Sequence, residues 1–439
     1  MTESSPKDVV IIGGGVSGTA LLHTLARYTD LKNITLTEKY ASLASLNSHG
    51  RNNSQTLHCG DIETNYSLEK AIQVKSAAAM LERYASAHSA RDRLMRRYPK
   101  MVLGVGRDEC DSLRARFEKF SPHFPTMELF ESSDIAKIEP KVVGGRKEEI
   151  VGVGARNDYS AVNFQQLSEA MASDAKQASG KNIEVRLNTK VLRIEPRDNG
   201  YDVITNEGTI NTRFVVVSAG GHSLLFAQRM GFGLEFACLP VAGSFYYTPS
   251  VLNGKVYTVQ NDKLPFAAIH GDPDVLVDGK TRFGPTALML PMLERYNFGT
   301  MHEFFQVFGL DARAMAVLFD LFKVKDIRQY LLKNFLFEIP LIRRRLFLKD
   351  ARKVVPTLQL SDLEFAKNVG GIRPVMIDKI NRKLHLGEAK INPGNGIIFN
   401  MTPSPGATSC LFNAERDMRI ISEHLGCNIN ESLLKQELK

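Results

Sequence analysis

The chain has no tryptophan, only five cysteines, and no uninterrupted apolar stretch long enough to cross a bilayer. Without tryptophan and without a long Lys/Arg block, it lacks the stacking platform and basic stripe of a nucleic-acid binder. Cys59, Cys110, Cys238, Cys410 and Cys427 are scattered, odd in number and form no C-x-x-C. They read as reduced thiols, not as a disulfide framework or a metal site. The longest uncharged stretches, residues 236–254 and 391–414, are cut by Pro, Gly and Asn, so neither makes a spanning helix. The first residues have neither the basic nor the apolar region of a secretory signal, so a cytoplasmic protein is expected.

What is present is ordinary for a globular protein: 439 residues, 43% hydrophobic and 24% charged. That length implies two or three domains. The net charge of +8 favours acidic small molecules or an anionic membrane surface as partners. Along the chain, an α/β start gives way to charged helical spacing over residues 67–120. A meander follows over 182–218, then strand-like sequence over 239–285, Phe-rich helical periodicity over 300–337, and a helix over 408–425. The expected fold class is α/β (α+β in part), a Rossmann-like nucleotide-binding domain with a discontinuous substrate domain of sheet and helices. The expected division gives residues 1–75, 150–225 and 355–439 to the first, and 76–149 and 226–354 to the second.

The strongest local signal is Gly13-Gly-Gly15-Val-Ser-Gly18, a G-x-G-x-x-G between an apolar strand and a helix. Glu38 closes the next strand, 20 residues beyond the third glycine. In such a unit Gly13 turns the chain, Gly15 lets the backbone approach a pyrophosphate, and Gly18 lets helix and strand pack. The helix N-terminus holds the phosphates, and Glu38 accepts from a ribose hydroxyl. No second complete fingerprint follows, since Gly104-Val-Gly106 and Gly152-Val-Gly154 lack the third glycine. The meander carrying Val191 and ending at Ser218-Ala219-Gly220-Gly221 resembles the second nucleotide-contact segment of flavoproteins. One tightly held FAD is therefore expected, and no nicotinamide cofactor.

Residues 52–66, Asn-Asn-Ser-Gln-Thr-Leu-His-Cys-Gly-Asp-Ile-Glu-Thr-Asn-Tyr, resemble the malate:quinone oxidoreductase family, FAD enzymes of the D-amino-acid-oxidase-like group. Cys238-Leu-Pro-Val-Ala-Gly-Ser-Phe-Tyr246, Leu264-Pro-Phe-Ala-Ala-Ile-His-Gly-Asp-Pro-Asp274, Gly284-Pro-Thr-Ala287, Ile372-Arg-Pro374 and Phe399-Asn-Met-Thr-Pro-Ser-Pro-Gly-Ala-Thr408 carry the likeness over nearly the whole chain. The resemblance implies oxidation of (S)-malate to oxaloacetate, a tricarboxylic acid cycle step, with FAD as hydride acceptor and a membrane quinone as final acceptor. A similar layout belongs to L-2-hydroxyglutarate dehydrogenases, so another 2-hydroxy acid is the alternative substrate. A flavin-binding scaffold without catalysis is the alternative outside enzymes.

Several residue roles follow from that resemblance. Ser54, Gln55, Thr56 and His58 form a polar loop along the flavin, although such a cluster taken alone reads as turn chemistry. Pro405, Gly406, Ala407 and Thr408 precede a helix whose N-terminus faces the flavin ring; the plainer reading is a loop and cap. His270 is expected to take the substrate's hydroxyl proton, with His58 next in line; a lone His at a strand end is otherwise a satisfied core residue. Arg373 and Arg282 are expected to clamp the malate carboxylates, the alternative for each being an ordinary ion pair. Residues 301–353 hold eight phenylalanines with Arg343-Arg-Arg345 among them. This is either a helical core or an amphipathic basic surface docked on the inner face of the cell membrane. No metal is expected.

Overall fold

The computed structural model describes residues 6–260, 268–309, 312–385 and 387–439. Val9, Val10 and Ile11 have no solvent contact, as expected for a strand covered on both faces. This strand, β1 (Lys7–Ile12), runs through a Gly turn into helix α1 (Val16–Tyr28) and returns as β2 (Asn33–Thr37). The sheet is ordered Ala389–Ile391, Ile397–Met401, Gly208–Val217, β1, β2, Asn182–Arg186, with strands Val191–Arg197 and Gly200–Thr205 folded off Gly208–Val217 as the expected meander. The core pairings are parallel and in step: Ile12 lies beside Val217 and beside Thr37. Their carboxyl ends therefore finish together, and a ligand crevice forms there in open α/β sheets.

Two further sheets stand over that edge. An eight-stranded sheet runs Glu364–Phe365, Tyr246–Pro249, Lys280–Gly284, His270–Pro273, Lys255–Thr258, Lys100–Val105, Ile150–Ala155, Glu128–Glu131. A four-stranded sheet runs Leu288–Met289, Phe236–Ala242, Ile372–Asp378, Lys383–His385, backed by helices Met301–Phe308, Ala312–Lys323 and Lys325–Leu336.

The structure differs from the sequence expectation in several places. Met95–Arg97 and Lys100–Val105 are strands inside the expected helical run, the second because Met101, Val102 and Leu103 fill the centre of the larger sheet. The stretch 150–155 pairs with Lys100–Val105 and so belongs to that sheet, while helix Leu68–Ala87 buries Leu81 and Ala85 in the same cluster as Leu21 and Leu25 of α1. The strand Ile372–Asp378 pairs with Phe236–Ala242, not with the first sheet. The last long helix begins at Cys410, two residues beyond the expected Thr408. Residues 264–267 of the motif ending at Asp274 lie outside the described residues.

Two glycines set the geometry of the turn. Gly13 has φ +110°, and a Cβ there would stand 2.4 Å from the Ser218 carbonyl oxygen. A Cβ on Gly18 would stand 2.0 Å from the Gly13 carbonyl oxygen, so α1 can cross β1 this closely only without a side chain. Gly18→Ala is therefore expected to lower stability by about 1–3 kcal/mol through overpacking. Calorimetric unfolding checks this; an unchanged melting temperature would mean the helix can shift freely.

Candidate active site

At the carboxyl ends of β1 and β2 lies a cavity of about 520 Å³, a size typical of ligand sites. Its wall brings together Gly13, Gly15, Glu38, Ser54, Gln55, Thr56, His58, Val191, Ala219, Gly220, Pro405, Ala407 and Arg373. Gly18, Gly406 and Thr408 are not on it. Gly18 works through packing, and a Cβ on Gly406 would meet the Thr402 carbonyl oxygen at 2.6 Å. Thr408 is a buried tie: its hydroxyl accepts the His58 N–H at 3.1 Å and donates to the Thr56 carbonyl at 3.4 Å.

The donor set suits a dinucleotide. The N-cap of α1 is Gly15, which has no side chain to accept from the first turn. The Ser48 hydroxyl accepts the Val16 N–H at 3.0 Å, beside the other first-turn donors available to a phosphate. Glu38 accepts the Gly14 and Tyr40 N–H groups at 2.8 and 2.9 Å. Burial pushes its carboxyl above the usual range, with those two donors pulling the other way. Beyond Glu38, Lys39 pairs with Glu294, and the Tyr40 hydroxyl donates to Glu294 at 2.6 Å. Ser48, Lys39, Tyr40 and Glu294 were not foreseen. They come to the wall from a loop and a distant segment, and only the position of Lys39 directly after Glu38 hinted at any of them.

Within the polar loop the expected contacts are partly reassigned. Gln55 is left-handed (φ +50°), and its side chain turns away toward the larger sheet. Its amide nitrogen donates to the Gly50 carbonyl at 3.1 Å and to Asp274 at 3.2 Å, and its amide oxygen accepts the Val275 N–H at 2.9 Å. The Thr56 hydroxyl is 2.7 Å from the Tyr257 hydroxyl. These two side chains fasten the loop; the backbone, Ser54 and His58 remain for a ligand.

Arg373 faces the cavity. Loss of hydration lowers its pKa, and Tyr330, Tyr257 and Tyr66 oppose that shift; among the described residues no carboxylate pairs with it. Arg282 and His270 do not reach the wall, contrary to expectation. Arg282 is fully buried, 3.6 Å from Asp272, 3.5 Å from Asp274 and stacked over Phe245 at 4.4 Å. Lys255, also buried, lies 3.2 Å from Asp272. Two cations thus face two carboxylates, and Arg282 has no spare charge for a substrate. His270 is buried, stacked on Tyr257 with ring centroids 4.1 Å apart, and its Nε2 is 3.6 Å from Asp272. Burial, reinforced by the Lys255 cation, keeps its imidazole pKa far below the usual value.

The fold and this wall define a flavin-dependent oxidoreductase. The model of the family described as FAD dependent oxidoreductase matches residues 8–415, and the chain belongs to that family. It is 48% identical over 442 residues to a probable malate:quinone oxidoreductase of Campylobacter jejuni, with 98% of each chain covered. It is 47% identical over 427 residues to a malate:quinone oxidoreductase of Helicobacter pylori, with 95% of each covered. Among solved structures, it matches an FAD-bound L-alpha-glycerophosphate oxidase from Mycoplasma pneumoniae at TM-score 0.65 and 19% identity, covering 97% and 96% of the two chains. A glycine oxidase from Bacillus cereus matches at TM-score 0.64 and 16% identity, covering 99% and 98%.

Two outcomes follow. Glu38→Ala is expected to weaken FAD binding by about 1–3 kcal/mol, read by titrating FAD into stripped protein. Arg282→Ala is expected to cost about 3–5 kcal/mol of stability by leaving Asp272 and Asp274 under-compensated. Chemical unfolding measures that loss, and a stable variant defective only in substrate binding would return Arg282 to the substrate site.

Proposed function

We propose that the protein oxidises (S)-malate to oxaloacetate and passes the electrons to a membrane quinone, a tricarboxylic acid cycle step performed outside the nicotinamide pool. The observation that carries the reading is Arg373, a guanidinium on the wall of the flavin-type cavity with no carboxylate paired to it among the described residues. A planar, permanently charged fork suits one carboxylate of a small dicarboxylic acid. The likeness to malate:quinone oxidoreductases selects malate among such acids. FAD, when bound, supplies acceptance of a hydride and its release as electrons. Gly13, Gly15, Glu38, the first turn of α1, Ser54, Val191, Ala219, Gly220, Pro405 and Ala407 would hold it. Arg373 would hold the acid by one carboxylate within that cavity, in reach of the FAD.

The acceptor side is assigned to the Phe-rich helices. No described helix is long and apolar enough to cross a membrane. The eight phenylalanines divide evenly. Phe304, Phe308, Phe337 and Phe347 are buried, whereas Phe305, Phe319, Phe322 and Phe335 are exposed. Met315, Phe319 and Phe322 share one face of helix Ala312–Lys323 by their spacing, with Leu332 and Phe335 spaced likewise on Lys325–Leu336. Leu341 is 91% exposed beside Arg343–345. Exposed aromatic and aliphatic groups flanked by cations suit peripheral docking on the anionic cytoplasmic leaflet, where quinone is reached.

Anaerobic malate is expected to bleach the flavin, and a soluble quinone to restore its colour; L-2-hydroxyglutarate bleaching it faster would reassign the substrate. Arg373→Lys is expected to raise the malate KM about tenfold or more with FAD retained. Phe319→Ser with Phe335→Ser is expected to reduce sedimentation with anionic vesicles while leaving malate–dye turnover in solution unchanged.

A further inference from the structure

His58 is the only histidine that is both on the cavity wall among the described residues and inside the 52–66 loop. Its ring does not point there by chance. Nδ1 is 2.7 Å from Glu63 Oε1, a carboxylate 5% exposed. The other carboxylate oxygen accepts the Gly60 N–H at 2.9 Å. Arg116 donates to the Glu63 carbonyl at 2.8 Å, and Thr408 accepts the His58 backbone N–H, so both ends of the pair are tethered. Nε2 is 3.4 Å from the Ser404 hydroxyl, in the loop that also lines the cavity.

We propose that Glu63 is the positioning residue of a His58–Glu63 dyad that takes the substrate's hydroxyl proton, a role that rests on the malate reading above. A buried carboxylate only accepts, so Nδ1 carries the hydrogen and Nε2 keeps its lone pair on the cavity side. As malate is oxidised, the O–H bond breaks and its proton moves to Nε2. The C2–H bond breaks with its electron pair leaving as hydride to the FAD, and the C2–O bond becomes a carbonyl. The imidazolium formed in that step lies against the Glu63 carboxylate, which supplies the opposite charge without reorganising. His270 has no such path: it is off the wall and enclosed by Tyr257 and Asp272.

The test is a double-mutant cycle on the FAD-loaded protein, following flavin reduction by malate after rapid mixing. His58→Gln is expected to slow reduction by about 10²–10⁴-fold and Glu63→Gln by about 10- to 100-fold, each with the malate KM and FAD content unchanged. In the His58→Gln background, Glu63→Gln is expected to add nothing, because it acts through the imidazole. A Glu63→Gln variant as fast as the parent, or one that slows His58→Gln by its full factor, would overturn the dyad. Should Glu63→Gln fail to hold FAD, Glu63→Asp enters the same cycle under the same criterion. Independently of turnover, nitrogen NMR of the resting protein is expected to show His58 protonated at Nδ1 and bare at Nε2; the reverse tautomer refutes the proposal. A parent protein that malate does not bleach counts against malate as substrate, whereas normal bleaching with an additive cycle counts against Glu63 alone.

Discussion

The two halves of the molecule are held in register by a balanced set of buried charges. Lys255 and Arg282 oppose Asp272 and Asp274, the first three on neighbouring strands of the larger sheet and Asp274 just past the end of one, all without meaningful solvent contact. Burying four charges costs several kcal/mol each unless every one finds partners. The partners come from the flavin side: Arg282 donates to the Gly50 carbonyl at 3.2 Å, and Asp274 accepts from Gln55. The loop that lines the cavity is thereby a component of the larger sheet's charge balance. This explains how Gln55 is kept in a left-handed backbone that a non-glycine residue adopts only under constraint.

That constraint divides labour among residues that look alike. Arg373 is half-buried and Arg282 fully buried near the flavin loop, yet Arg282 is neutralised by carboxylates, whereas the described groups acting on Arg373 are tyrosines. His58 and His270 differ in the same way. Each lies near a carboxylate, but the Glu63 contact of 2.7 Å is a hydrogen bond, whereas the 3.6 Å separation from Asp272 leaves His270 Nε2 without one. On the proposed reading, chemistry falls to the member of each pair whose reactive edge is left over after the fold has been satisfied.

The nucleotide half was legible because its signals are local. A strand, three glycines, a helix and an acid at fixed spacing leave few alternatives, and the meander announces itself through turn residues. Strand Lys100–Val105 was obscured because its neighbours are charged and helical, and a fully buried strand has no alternation to reveal it. The assignment of residues 150–155 depends on which partner strand they meet, which no window of sequence contains. For His270 a signal did exist: Asp272 and Asp274 follow within four residues, and period-two geometry puts His270 and Asp272 on one face of the strand. Carboxylates so placed pointed to an internal charge cluster. Glu63 escaped notice because nothing in the spacing of His58 and Glu63 shows that the loop folds back on itself.

The first sheet is closed by its last contributor. Strand Ile397–Met401 lies parallel to Gly208–Val217, and the loop directly after it supplies Thr402, Pro403, Ser404 and Pro405 to the cavity wall. During synthesis, then, the glycine turn and Glu38 leave the ribosome early but face an open site for most of translation. Only when almost the entire chain has emerged can the flavin be enclosed. A chain ending before Thr402 would therefore carry the fingerprint without this part of the cavity wall.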